Sequence, residues 1–307
     1  MPELPELQAL AEGLTAALAG REVTAVRVHH PATLKTAEPP VDALAGRRLV
    51  RVWRRGKLLG VEAEGDLTLV IHLMQAGRLG IAPAPRGRPG RQAALDIGVG
   101  AGEVLRLREL STTRRASAHL LDAAGLAAHR PLTRLGPEPI GLDRDGWRRA
   151  MAPGAVLHTA LRDGRRVAGI GRAYASDIMW AARLAPFART ATLDDAGLDR
   201  LAAAADAVLG QALDRARGRI TTDLPNKEAR VTAVHGHVGE PCLRCGTALE
   251  HVAFDEYDLV YCPTCQTEGR LLADRALSQL MKDDWPRTLE ELEEKKAQAR
   301  EQIGSSC

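Results

Sequence analysis

The chain has 307 residues, 45% hydrophobic and 26% charged, an ordinary globular balance that excludes wholesale disorder and collagen-like repeats and gives room for two or three domains. Its longest apolar runs, such as Leu67–Leu73, fall far short of the ~20 residues of a membrane span, and the acidic start MPELPELQAL has no basic n-region of a secretory signal, so a soluble, cytoplasmic protein is expected. The net charge of +3 divides unevenly: the tail Asp283–Cys307 carries −3, leaving +6 on residues 1–282, which suits a polyanionic partner.

The first predicted element is a helix over Leu4–Leu18, with Pro5 in its first turn, Gly20 beyond its end and Leu4, Leu7, Leu10, Leu14 and Leu18 as a core-facing stripe. The period then shortens. Val23–Val28, Arg48–Trp53, Leu58–Glu62, Leu67–His72, Ala94–Val99 and Val104–Leu107 read as short strands broken by Gly and Pro, the pattern of a β-sandwich or flattened barrel. Residues 82–91 (APAPRGRPGR) read as a loop, either a solvated connector or one facing phosphate. After Leu135 helical spacing takes over at Gly146–Met151, Gly154–Arg162, Ile170–Ala182 and Leu193–Ala216. Between two of these helices lies a basic turn, residues 162–171, with three glycines that permit close approach of an anion to backbone amides. The sequence contains neither a dinucleotide fingerprint nor a P-loop, so no nucleotide cofactor is expected. The charge-rich residues after Trp285 read as a solvated helix.

Four of the five cysteines, Cys242, Cys245, Cys262 and Cys265, form C-x2-C-x16-C-x2-C, a four-thiolate zinc pattern. The competing reading, two disulfides, is disfavoured in a reducing compartment. With four thiolates and no open position, the implied Zn2+ is single and structural. Strand-forming residues from His251 to Tyr261 join the two cysteine pairs as a β-hairpin. Only six of the 42 basic residues are lysine, which singles out Lys57: a compact ammonium can do what a guanidinium fork cannot.

Five stretches in this order carry a resemblance: Met1-Pro2-Glu3-Leu4-Pro5-Glu6, Arg54-Arg55-Gly56-Lys57, Leu135-Gly136-Pro137-Glu138-Pro139, Gly169 to Ala175, and Val234-His235-Gly236 through Cys265-Gln266. Together they resemble the formamidopyrimidine-DNA glycosylase / endonuclease VIII family. The resemblance implies an α+β fold: a catalytic β-sandwich with a leading helix (1–125), a helix–two-turns–helix domain (126–232), a four-cysteine zinc finger (233–282) and a charged tail (283–307). It implies a monomeric bacterial DNA-repair glycosylase and AP lyase, nucleoid-associated through its partner, double-stranded DNA with a damaged base or abasic site.

The chemistry follows from the residues. Removal of Met1 would expose the secondary amine of Pro2, whose reference pKa of about 8 leaves a sizeable neutral fraction able to attack an anomeric carbon. Glu3 can shuttle protons to the sugar oxygen, Glu6 can help hold the amine, and Lys57 can hold a phosphate or the base. The target nucleotide must leave the stack; the resemblance implies that Met74 or Gln75 fills the gap, with Arg114 and Arg115 in a second loop. The chain departs from the family in three places. The aromatic that follows the paired arginines is missing, Arg172 stands where the family has a phosphate-gripping asparagine, and Tyr257 stands where it has an arginine. His235 is a further candidate for phosphate contact. Only eleven residues separate Thr222 from Val234, a short loop that leans toward endonuclease VIII-like lesions. The alternatives are a lesion- or abasic-DNA-binding protein that has lost base excision, and a specialised glycosylase for bulky or crosslinked adducts.

Overall fold

A computed structural model describes residues 1–87, 89–152, 154–226, 230–254, 257–272 and 286–304. Cys307 and the start of the predicted charged tail lie outside the described residues. Two compact units emerge, each assembled from separate stretches of chain: Met1–Gly141 with Asp163–Gly171 and Leu209–Arg230, and Leu142–Arg162 with Arg172–Val208 and Val231–Cys307.

The first unit opens with α1, Leu4–Leu18, whose five leucines are all at most 1% exposed. Eight strands follow: β1 Ala25–Val28, β2 Leu49–Arg55, β3 Leu58–Ala63, β4 Leu67–His72, β5 Gly77–Pro83, β6 Ala93–Gly98, β7 Glu103–Glu109 and β8 Ser117–Leu121. They form two antiparallel sheets, in the orders β1-β6-β7-β5 and β2-β3-β4-β8. Inward residues of both sheets (Leu59, Leu69 and Ile71 from one, Leu95, Ile97 and Leu105 from the other) join the α1 stripe in one core. Burying such side chains contributes about 1.5–3 kcal/mol each before the entropy of ordering them is subtracted.

Two of these strands, β5 and β8, were not expected, nor were the short helices α2 Ala123–Ala128 and α3 Arg130–Thr133. The helices account for a sheet buried on both faces. Leu58, Val70 and Leu121 point away from the main core and pack with Trp53, Leu126, Leu132 and Leu135. Residues 84–87 and 89–91 form a loop, as read, although Ala82 and Pro83 end β5.

The second unit holds α4 Arg144–Met151, α5 Leu157–Arg162 and α6 Arg172–Ala181, while the long helix α7 Asp195–Arg217 passes from this unit to the first at Leu209. Asp143 caps α4 by accepting from the Gly146 N–H at 2.7 Å. A hairpin of β9 Glu250–Phe254 and β10 Tyr257–Tyr261 leads into the short helix α8 Pro263–Thr267, and α9 spans Leu289–Gly304. No helix among the described residues is long and apolar enough to cross a membrane.

Candidate active site and zinc centre

Both carboxylates in the opening turn of α1 are buried, Glu3 at 3% and Glu6 at 2% exposure, so each must be satisfied from within the protein. Glu6 Oε2 accepts from the Glu3 N–H at 2.9 Å, a reciprocal cap that also suits the positive end of the helix dipole. Glu3 accepts from the Gly171 N–H at 2.5 Å, and the Leu4 N–H donates to the Gly169 carbonyl at 3.1 Å. The glycines are therefore steric requirements. A Cβ at Gly171 would fall 2.3 Å from the Glu3 carboxyl carbon, and Gly169 has φ +87° with Leu4 against it. The basic turn predicted to cradle an anion does receive one, and it is the protein's own Glu3.

Arg230 closes this arrangement from the far end of the first unit. Its Nε donates to Glu6 Oε1 at 2.8 Å, and its Nη2 donates to Glu6 Oε2 at 3.1 Å and to the Met1 carbonyl at 2.8 Å. Its Nη1 lies 3.9 Å from Glu3 Oε1. Pro2 is buried between exposed Met1 and Glu3. Sequence reasoning brought Pro2, Glu3 and Glu6 together and missed Arg230. The available signal was a lone arginine in the short stretch 223–233.

That stretch is short because it is docked. The Ile81 N–H donates to the Thr222 carbonyl, the Leu224 N–H donates to the Leu79 carbonyl, and buried Arg78 donates to the carbonyls of Pro225 and Asn226 at 2.8 and 2.9 Å. Residues 222–226 thus lie along the edge of β5. Gly80 leaves them space, since a Cβ there would be 1.9 Å from Asp223 Oδ1.

Lys57 follows a β2–β3 turn in which Gly56 has φ +57°. Glu138, from the Leu-Gly-Pro-Glu-Pro stretch, holds this turn. It accepts from the Gly56 N–H at 2.9 Å and lies 2.7 Å from both Arg54 Nη1 and Arg55 Nη1. Arg55 also donates to the Gly136 carbonyl at 2.6 Å. The imidazole of His72, on β4 opposite Leu58, is pushed below its ordinary value first by burial and then by the charge of Lys57. His119 and His129 meet edge to face at 4.8 Å, and burial lowers both imidazoles.

The two candidate wedge loops are neighbours. The Leu110 N–H donates to the Ala76 carbonyl at 3.0 Å, joining the Met74–Gln75 turn to the loop of Arg114 and Arg115. Met74 takes φ +53°, a conformation a non-glycine residue holds only when its surroundings dictate it, and Gln75 is exposed. Buried Glu109 receives the N–H groups of Arg115 and Ala116 at 3.1 and 2.8 Å, while Arg114 leans on His30 and the Arg91 carbonyl.

The remaining candidates belong to the second unit. Arg172 is half-buried at the start of α6. Asp177 on the same helix, 4% exposed, receives three successive N–H groups, from Ala233 at 2.7 Å, Val234 at 3.1 Å and His235 at 3.2 Å. Burial pushes its carboxyl up, and those three bonds oppose the shift. His235 therefore sits in a turn pinned by its backbone. Tyr257 begins β10, and its side chain lies outside the described residues.

The four cysteine sulfurs lie within 4.8 Å of one another, with Cys242–Cys265 at 4.0 Å and Cys245–Cys262 at 3.5 Å. Tetrahedral zinc with Zn–S of ~2.3 Å needs sulfurs about 3.8 Å apart, so the donor set fits. The Trp180 indole N–H donates to Cys242 Sγ at 3.3 Å, which offsets thiolate charge. Arg244 stacks on that indole at 4.3 Å and caps α6 through the carbonyls of Trp180 and Ala181. Gln266 ties the hairpin down, accepting from the Cys262 N–H and donating to the Leu184 carbonyl, both at 2.9 Å. Zn2+ held by these residues is structural.

Residues 1–116 match the formamidopyrimidine-DNA glycosylase N-terminal domain, and residues 239–267 match the zinc finger found in FPG and IleRS. A formamidopyrimidine-DNA glycosylase of Geobacter sulfurreducens is 34% identical over 278 residues, covering 87% of this chain and all of that protein. One from Mycolicibacterium paratuberculosis is 33% identical over 292 residues, again along its whole length. Among solved structures, a Lactococcus lactis FPG mutant in complex with Fapy-dG-containing DNA superposes with a TM-score of 0.77 at 23% identity, covering 87% of this chain and all of that one. MutM in complex with DNA containing carbocyclic 8-oxo-G gives 0.76 at 21%. These two likenesses concern the fold.

Proposed function

Because the chain belongs to the formamidopyrimidine-DNA glycosylase family, we propose that it is a bifunctional DNA-repair enzyme that excises damaged bases and cleaves the abasic strand through an imine on Pro2. The observation that carries this reading is the N-terminal constellation: buried Pro2 leading directly into the buried pair Glu3 and Glu6, which Gly171 and Arg230 lock in place.

With Met1 removed, the lone pair of the Pro2 nitrogen attacks C1′ of the extruded nucleotide. The N–C1′ bond forms as the bond to the base breaks, and the base leaves with that electron pair and takes up a proton. Glu3 is placed to pass a proton to O4′ as the sugar ring opens to an iminium. The iminium acidifies C2′, whose proton is lost as the 3′ phosphate departs, and water then releases the amine. Lys57, whose charge reaches His72, offers a compact cation for phosphate, and Met74 or Gln75 fills the vacated stack. Arg114 and Arg115, with Arg172, His235 and Tyr257 on the second unit, are proposed DNA contacts. Double-stranded DNA bearing the lesion is the partner, and a nucleotide cofactor has no place in the chemistry.

The relatives' name points to formamidopyrimidines. The short, docked stretch 222–226 favours a second reading, an endonuclease VIII-like preference for oxidised pyrimidines, since it leaves few residues to cover a purine. Duplexes bearing each lesion class separate the two by their relative kcat/KM.

The deciding experiment adds borohydride to the Met-trimmed protein on a duplex with one abasic site. A covalent adduct that is lost when Met1 is retained, with duplex binding within about threefold, is expected. Tight binding with no adduct would favour a DNA-binding protein that has abandoned the chemistry.

A further inference from the structure

Arg230 touches both the first residue's carbonyl and the buried carboxylate of Glu6. Its Nη2 lies 2.8 Å from the Met1 oxygen, and that oxygen is about 2.2 Å from the Pro2 nitrogen across the peptide bond, so the guanidinium stands no more than about 5 Å from the future nucleophile. When Met1 is cut away, its carbonyl leaves with it. The Nη2 donor then faces the amine and whatever oxygen the substrate brings there.

We propose that Arg230 is a positioning residue of the imine-forming step, which fixes Glu6 against the N-terminal amine, favours the uncharged amine and presents a donor to the sugar oxygen. The inference rests on the proline reading above and adds a residue to it. Charged groups that the structure brings to this end of the chain include Glu3 and Glu6 from α1 and Arg230 from the segment before the finger, while the Gly169–Gly171 turn brings backbone. The two carboxylates favour the protonated amine, and Arg230 opposes them twice. It neutralises Glu6 through two hydrogen bonds, and its own positive charge repels a second one nearby. Both effects have the same sign, so removing Arg230 shifts the amine toward its charged, unreactive form. At about 5 Å and intermediate screening the effect is on the order of one pH unit.

Another cation would not do as well. A lysine at position 230 would keep the charge but lose the fork that holds both Glu6 oxygens and the terminus together. Charge and alignment can thus be separated by experiment.

The test follows the rate of borohydride-trapped adduct on an abasic duplex from pH 5.5 to 9, with loss of Met1 checked by mass. Arg230→Gln is expected to move the acid limb of the profile up by about one unit and to slow trapping about tenfold at pH 7. Arg230→Lys should leave the limb in place and lower the plateau severalfold. Glu6→Gln, which leaves Arg230 unneutralised, should move the limb the opposite way, to lower pH. Melting temperature and affinity for a duplex with a reduced abasic site accompany each variant. A folded Arg230→Gln protein whose limb coincides with the parent's, whatever its plateau, overturns the proposal, because a merely structural arginine would lower the rate equally at every pH. Should Arg230→Gln fail to fold, Glu6→Gln decides: no downward shift overturns the proposal. A parent that traps nothing refutes the proline reading, and this one falls with it.

Discussion

The N-terminal site and the zinc hairpin solve one problem by different means. Each must hold a few residues of irregular backbone in fixed positions. At the N-terminus the holders are charged side chains and backbone from remote segments: Glu138 gripping the Gly56 turn, Gly171 meeting Glu3, and Arg230 closing over Glu6. In the hairpin the holders are four sulfurs close in sequence, needing a metal to join them. The first arrangement is assembled by the fold of its unit. The second is conditional on an ion, and a site held by the fold should outlast one held by an ion.

Removing the metal breaks that comparison most strongly. Structural zinc contributes on the order of 10 kcal/mol to folding in small fingers, and in this hairpin Val234, Leu249 and Val260 pack directly around the cysteines that would hold it. Chelation, or Cys262→Ser, should therefore unfold residues 239–267 while the sandwich stays folded. Hydrogen exchange read peptide by peptide checks this: protection lost in β9 and β10 and kept in β3 and β4 is expected. Simultaneous loss in both would show that the two regions do not fold separately.

The converse cut is Glu138→Ala. It removes the acceptor of the Gly56 N–H and leaves Arg54 and Arg55 without their shared carboxylate, at about 2–3 kcal/mol for a partly exposed group with three partners. The larger consequence is local. The turn carrying Lys57 is released, so abasic-site trapping should fall tenfold or more while zinc content stays at one per chain. Unchanged trapping would mean that the turn is held by other contacts.

These holders also mark what the sequence disclosed. The four sulfurs were legible because their spacing is local, and Pro2, Glu3 and Glu6 because one helical turn contains them. Arg230 acts across 224 residues, and no local pattern announces such a partner. The strand β5 was hidden for the same reason. Its Gly77 and Gly80 interrupt the run of strand-forming residues, yet Gly80 is there because Asp223 occupies the space of a side chain. Helices α2 and α3 lack a clear period because they cover a single patch around Val70 and Leu121. Glu138 was visible as part of a recurring stretch, but its work of holding the Lys57 turn is a tertiary fact.

The smallest expected effect sharpens the comparison at its boundary. Asp177 holds residues 233–235, just ahead of the finger, by the means used at the N-terminus: a buried carboxylate taking backbone N–H groups. Asp177→Asn preserves shape but replaces one acceptor oxygen with an amide. That amide must face either the Ala233 N–H or those of Val234 and His235, so at least one bond becomes two donors in opposition. The cost is about 1–3 kcal/mol. If the division between fold-held and ion-held backbone is right, the N–H groups of 233–235 stay protected in the metal-free parent and lose protection in Asp177→Asn with zinc bound. Protection that instead follows the metal in both proteins would place this turn with the finger, and the fold-held region would then end at Asp177.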